Sequence, residues 1–509
     1  MTTGKALNGK PYAGNPHVRF DEGEVASCTA EASLRRVHCR RQPEAMTRPQ
    51  VASRSEVARG LRASVCAAMP RRGSLLYNVK FYVVAITAVL ALSAAAETLP
   101  LIVWGTLAEE DATQARYAEM KEAGFTHVVQ SCASPEAAKR ILGEAEKAGV
   151  KLILGLRGLR KMTESAKQFT AACKNSPALE YYSIVDEPHK RHFPLICKCV
   201  SQFKKFDPAH PCFVNVFGAL CDRRNRKDKE RQMDKTGFET HDEYIRALYA
   251  AVPLKVISFD MYPILSFKPL EDGDFRLHGQ RVFLKERWYE TLETTSAFAA
   301  ERGIPMFAFA LLSAHRHYPG QDYPVPTMEH FRLQQYSNLA YGAQGLEYFR
   351  WYIKEPYHGY NSAPILYDGK RGPMFERVRE FNAELQARAY VFVGAKVVKV
   401  RHAGIDIPLG TKRFEEKDLP SFVTAFSTLK NGEAVVSYLK NGGRDYFMVV
   451  NRSPNDDMAF TAKFAPGAEI VRRDGSRASL DAYSDVFWLD PGDAAIFTQA
   501  TQTNKGTGR

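Results

Sequence analysis

Between residues 101 and 389 the chain alternates short apolar runs with longer amphipathic ones. The apolar runs fall at 101–106, 127–131, 151–156, 180–185, 212–217, 256–260, 306–311 and 346–352. Between and after them lie 112–123, 135–148, 163–174, 193–206, 242–251, 284–301, 328–341 and 374–387, with apolar residues at helical spacing and charges on the opposite face. Gly124, Gly149 and Gly303 follow three of these stretches, where a left-handed residue closes a last turn. Eight strand–helix units in roughly 290 residues predict an α/β chain folded as a (β/α)8 TIM barrel over 97–393. An open doubly wound sheet would need a glycine-rich first turn, and the chain has none.

After residue 393 the spacing shortens. Apolar runs at 434–439 and 446–451 flank Asn441-Gly442-Gly443, those at 470–471 and 478–480 flank Asp474-Gly475, and Asp490-Pro491-Gly492-Asp493 precedes 494–497. Turn residues at that frequency predict a C-terminal antiparallel β-sandwich over 394–500, with a polar tail at 501–509.

The first 96 residues alter how the charge is read. Pro70-Arg71-Arg72 and Lys80 precede an apolar run at 81–92 and then Ser93-Ala94-Ala95-Ala96. Basic flank, short apolar segment and small-residue exit predict a secretory signal peptide at 69–96. Residues 1–68 then read as a disordered or mis-started extension, and the mature protein as exported, to the periplasm, the cell surface or the medium, with no stable membrane span. The whole chain carries a net +13, of which +8 lies in residues 1–96. The +5 that remains gives no support to nucleic-acid binding. Six cysteines follow the cleavage point, an even number that permits disulfides in an exported protein. Cys197 and Cys199 point apart on a helix and do not form a metal pair; no metal or cofactor motif is present, and none is expected.

The fourth run ends in an unusual way. Leu179-Glu180-Tyr181-Tyr182-Ser183-Ile184-Val185 is aromatic and β-branched, and Asp186-Glu187-Pro188 follows at once. Pro188 cannot continue a ladder and is expected to hold Glu187 extended at the strand's tip. Two adjacent carboxylates raise one another's pKa, which suits a general acid, although they could equally cap the following helix. In a barrel, strand C-terminal ends share one mouth. There strand six brings Asp260 and Tyr262, strand one Trp104, strand two Gln130, strand five Asn215, strand eight Trp351 and Tyr352, and the loop after strand seven His315 and His317. Aromatic faces, amides and two carboxylates suit a polyhydroxylated ring: rings stack on its C–H face, amides bridge hydroxyls, and carboxylates cleave the acetal. Each residue also has a plain structural role open to it. Asp260 can cap the turn before Tyr262-Pro263, Trp351 and Tyr352 can fill the barrel top, and Asn215 and Gln130 can satisfy backbone groups.

Residues 181–188, ending Asp-Glu-Pro, resemble the strand-four acid/base motif of clan A glycoside hydrolases, usually Asn-Glu-Pro. Ser258-Phe259-Asp260-Met261-Tyr262-Pro263 and residues 335–352 resemble a group of exported bacterial barrel proteins described as β-galactosidase-like or family 42-like. The resemblance implies a glycoside hydrolase acting on an oligo- or polysaccharide, with Glu187 as general acid/base and Asp186 in the position of the clan's asparagine. The chain departs from that pattern at strand seven, where the clan places its nucleophilic Glu: residues 306–313 contain no acid. Asp260 is then the preferred second carboxylate, ahead of Glu347, expected to be buried or to face the helices, and of Glu355 beyond the strand. The alternative of another class is a carbohydrate-binding barrel that has lost its nucleophile. A third option is a barrel hydrolase or lyase acting on a non-sugar substrate.

Overall fold

The computed structural model describes residues 98–501, apart from 106, 221–225, 272–273, 319–320, 354–361 and 481–484. The expected extension and signal peptide, Glu355 and the end of the tail lie outside the described residues. Six strands come first: β1 (Leu101–Val103), β2 (His127–Cys132), β3 (Lys151–Leu156), β4 (Leu179–Asp186), β5 (Cys212–Phe217) and β6 (Ile257–Asp260). A hairpin of β7 (Ile264–Ser266) and β8 (Val282–Leu284) precedes β9 (Met306–Leu311). A second hairpin, β10 (His315–Tyr318) and β11 (Gln321–Tyr323), precedes β12 (Gly345–Phe349). Strands β1, β2, β3, β4, β5, β6, β9 and β12 close into one parallel barrel in chain order, β12 pairing with β1.

The helices are α1 (Gln114–Glu122), α2 (Pro135–Ala148), α3 (Leu159–Glu164), α4 (Ala166–Cys173), α5 (Phe193–Phe206), α6 (Arg226–Thr236), α7 (His241–Ala251), α8 (Trp288–Arg302), α9 (Met328–Ala340), α10 (Pro373–Ala387) and α11 (Ala389–Phe392). Local chemistry sets their ends. For α2, the Ser134 side chain accepts from the Ala137 N–H, Pro135 opens the first turn, and Gly149 closes the last at φ 69°. The stretch expected as one helix at 163–174 is two, α3 and α4, which meet at Ser165. The charged segment after β5 contains α6.

A strand buried on both faces divides its side chains by parity. Outward residues such as Leu152, Leu154, Ile257, Phe259, Leu346 and Tyr348 join the helices in one large core. Inward residues Ile102, Val129, Ile153, Phe213, Val256, Phe307, Phe309 and Leu311 fill the lumen, with Trp104 and Tyr262 at its upper end. The lumen is therefore packed, and any reactive cleft lies above it at the strand C-terminal ends.

Beyond α11 the chain forms a β-sandwich. Its strands are β13 (Lys396–Ala403), β14 (Val423–Thr428), β15 (Ala434–Asn441), β16 (Arg444–Asn451), β17 (Met458–Phe464), β18 (Glu469–Val471), β19 (Arg477–Ser479), β20 (Val486–Leu489) and β21 (Ala494–Ala500). They pair as a six-stranded sheet, β13-β15-β16-β21-β18-β19, and a three-stranded sheet, β14-β17-β20. Phe426, Phe447, Phe460 and Phe497 lie between the two. The other face of the larger sheet, through Val435, Leu439, Met448 and Ile496, is continuous with the barrel's outer core. Ser437 Oγ donates to the Ala340 carbonyl of α9 at 2.7 Å, so the sandwich and the barrel share buried surface. All five described cysteines, Cys132, Cys173, Cys197, Cys199 and Cys212, are free thiols. Among the described residues, no helix is long and apolar enough to cross a membrane.

Candidate active site

The tips of β4 and β6 meet above the lumen. Glu187 hydrogen-bonds the Asp260 carboxyl, and Asp186 lies close enough for its charge to act on Glu187. Burial first, then the charges of Asp260 and Asp186, hold the Glu187 carboxyl well above the usual range, with Lys235 of α6 opposing them. A contact between two carboxyl groups requires a proton, and the elevated member carries it: Glu187 donates and Asp260 accepts.

The backbone at Glu187 is not extended, as expected from the proline that follows. Its φ is +47°, in the left-handed region, which costs a residue with a Cβ roughly 1–2 kcal/mol. Two contacts hold that bend. The Glu187 N–H donates to the Asn215 carbonyl at 2.9 Å, and the Tyr244 hydroxyl of α7 donates to the Pro188 carbonyl at 2.8 Å. The strain is thus built into the exit of β4, and it turns the side chain toward β6.

Beneath the carboxylates runs a chain of polar groups on inward positions. Asn215 Nδ2 donates to Asp186 Oδ1 at 2.8 Å. Asn215 Oδ1 lies 2.7 Å from Ser258 Oγ, which in turn lies 2.6 Å from Glu347 Oε2. Trp104 Nε1 donates to Glu347 Oε1 at 2.8 Å. Glu347 is fully buried and faces the lumen, not the helices. Burial is the main cause that pushes its pKa up to about 8; Asp260 and Asp186 add to the rise, while the Ser258 and Trp104 bonds oppose it.

One wall of the mouth is aromatic. The Tyr262 ring stacks on Phe349 at 5.6 Å and meets the edges of Phe309, His315 and Tyr323. His315 is buried, and its Nδ1–H donates to the Ser313 carbonyl at 3.0 Å. Burial lowers its pKa to about 3, so the ring is neutral and is no proton shuttle near pH 7. Lys285, just past the β7–β8 hairpin, donates to the Tyr323 hydroxyl at 2.5 Å and lies within reach of the Asp260 charge. Burial lowers its pKa to about 8, the Asp260 charge opposing that fall.

The structure thus brings together Glu187, Asp260, Asp186, Asn215, Trp104, Tyr262 and His315. Three expected residues lie elsewhere. Gln130 has the parity of Val128 and Cys132 and faces outward, its Nε2 donating to the Leu107 and Ser131 carbonyls at 2.9 and 3.0 Å. Trp351 is fully buried outside the lumen, between Phe125 and Phe375, and offers no face to a sugar. Tyr352 packs against that same outer core. Lys285, Tyr323 and Ser258 belong to the site and were not anticipated. Ser258 had a signal, standing two residues before Asp260 and so on the same face of β6. Lys285 looked like the opening of a helix that begins only at Trp288. Among the described residues, no group of histidine, cysteine and acidic side chains is placed to hold a metal ion.

No family model matches the chain, and no curated protein matches it. Solved structures do. One described as a glycoside hydrolase aligns over 79% of this chain and 92% of its own, with a TM-score of 0.51 and 11% identity. That likeness is one of fold. A family 5 glycoside hydrolase from Bacteroides vulgatus covers 79% of this chain and 89% of its own at a TM-score of 0.47 and 10% identity. A putative α-L-fucosidase from Bacteroides thetaiotaomicron covers 56% of this chain and 96% of its own at 0.38 and 14%. The likeness is to glycoside hydrolases in general, and family 42 specifically is not shown.

Proposed function

We propose that the protein is a glycoside hydrolase that cleaves a glycosidic bond in an oligo- or polysaccharide by carboxylate acid/base chemistry. The observation that carries this reading is the hydrogen bond between the Glu187 and Asp260 carboxyls at the mouth of a barrel, with the Glu187 carboxyl held well above its usual range. Glu187 gives its proton to the glycosidic oxygen as the C–O bond breaks and the electron pair leaves with that oxygen. Asp260 meets the positive charge at the anomeric carbon, either by bonding to it or by taking a proton from an attacking water. Tyr262 and His315 offer ring surface and a neutral ring nitrogen to the sugar, and Lys285 moderates the charge on Asp260. Carboxyls about 5 Å apart retain configuration and wider pairs invert. In the free protein these two touch, nearer to the retaining spacing, so a bound sugar must part them. Export through a signal peptide at 69–96 completes the proposal.

The test is hydrolysis of a panel of aryl glycosides and polysaccharides by wild type, Glu187→Gln and Asp260→Asn. Turnover that survives in Glu187→Gln removes the proposed acid. A second reading, a carbohydrate-binding barrel without turnover, is favoured by one observation: β9 ends in fully buried Leu311 and Leu312, with no acid there. Calorimetric binding of the same glycans without hydrolysis by wild type would establish it.

A further inference from the structure

A serine hydroxyl has one hydrogen to give, and Ser258 stands between two groups that both look like acceptors. Asn215 fixes the direction. Its Nδ2 must face Asp186 Oδ1, because the flipped amide would set two oxygens 2.8 Å apart. Asn215 Oδ1 therefore faces Ser258 and takes the hydroxyl hydrogen. Nothing is left on Ser258 for Glu347 Oε2, 2.6 Å away, so that bond must run the other way. Glu347 supplies its hydrogen, and its second oxygen, Oε1, accepts from Trp104. With an ionised Glu347, either Asn215 Oδ1 or a carboxylate oxygen would be buried without a donor, at a cost of about 1–3 kcal/mol or more.

We propose that Glu347 is a positioning residue held as a neutral carboxylic acid: its proton sets the order Glu347 to Ser258 to Asn215 to Asp186, and so aims the Asn215 amide at Asp186 from beneath the reactive pair. The hydrogen-bond order stands whatever the substrate; only its consequence for turnover rests on the glycoside hydrolase reading. It also removes Glu347 as the missing nucleophile, since both its oxygens are engaged below the lumen's rim. The charged groups acting on it are Asp260 on β6 and Asp186 at the end of β4. β1 and β9 present neutral side chains, Trp104 and Phe309. Lys285 lies within reach of the Asp260 charge. The Asp260 and Asp186 carboxylates above it disfavour a further negative charge at Glu347.

The experiment is infrared spectroscopy in a Glu187→Gln background, which removes the raised carboxyl of the reactive pair, with and without Glu347→Gln. A carboxylic C=O band near neutral pH that titrates away in alkali and is missing from the double variant is the expected result. Identical spectra for the two proteins overturn the proposal, whether or not the wild type hydrolyses anything. Turnover supplies the second arm. Glu347→Gln keeps kcat within about threefold, because its amide donates to Ser258 and its oxygen still accepts from Trp104. Glu347→Ala, which breaks the chain, loses about 100-fold in kcat through misplacement of Asp186. A Glu347→Gln variant as inactive as Glu187→Gln means that Glu347 works as a carboxylate, and the inference fails.

Discussion

Replacement of Glu347 by Gln should stabilise the protein at neutral pH, an unusual outcome for a change at a fully buried position. In the unfolded chain Glu347 ionises near its ordinary value of 4.5, whereas in the folded protein it holds its proton up to about 8. Between those limits the folded state binds the proton and the unfolded state does not, so the wild type loses stability as pH rises from 4.5 to 8, and the loss then levels off. At pH 7 the gap from 4.5 is two and a half pH units, at about 1.4 kcal/mol each, or about 3 kcal/mol. Gln does not titrate, and it preserves the bonds to Trp104 and Ser258, so it escapes this penalty. Urea unfolding of both proteins at pH 4.5, 6, 7 and 8 measures the difference. Expected is near equality at pH 4.5 and an advantage for Glu347→Gln that grows to about 3 kcal/mol at pH 7. A difference that does not change with pH, or a variant weaker than wild type throughout, would refute a protonated Glu347.

Glu187→Gln should lower kcat about 10²- to 10⁴-fold on any glycoside the wild type cleaves while circular dichroism shows the fold unchanged. Asp260→Asn removes the largest charge that raises Glu187, so the Glu187 carboxyl should titrate at lower pH in that variant than in wild type, as carbon-13 chemical shifts would record. Trp104→Phe leaves Glu347 Oε1 without its donor and should cost about 1–2 kcal/mol in urea unfolding. Gly155→Ala would set a Cβ 2.6 Å from the Ser183 carbonyl of the neighbouring strand, and the forced shift should cost about 1–3 kcal/mol by the same measurement.

The barrel was legible because it depends on features a sequence displays openly: eight apolar runs, each bounded by turn or capping residues, and helices that, apart from the almost wholly buried α9, keep a polar face wet. The positions of Asp186, Glu187 and Asp260 were legible for a related reason, since each ends a run where a carboxylate has no business in a core. The conformation of Glu187 was not. The residue before a proline prefers extended backbone, and only tertiary contacts, from Asn215 and Tyr244, hold it at φ +47°. Lys285 was hidden by a boundary, three residues before a helix that its own sequence seemed to begin.

The remaining errors share one physical origin, the parity of strands buried on both faces. On a strand with one wet face, alternation of apolar and polar residues says which side is in; on a barrel strand both neighbours are apolar and the pattern falls silent. Val128 and Val129 look alike in sequence, yet one faces the helices and the other the lumen, and Gln130 follows Val128 outward. The same silence leaves undecided, from sequence, whether a buried Glu347 faces the lumen or the helices. Parity becomes readable once one residue on a strand is anchored by its partners: Asp260 at the mouth puts Ser258 inward, and Ser258 can satisfy Asn215 only if the acid opposite it gives up a hydrogen. An acid midway along a doubly buried strand is therefore better read by counting donors and acceptors around it than by its charge.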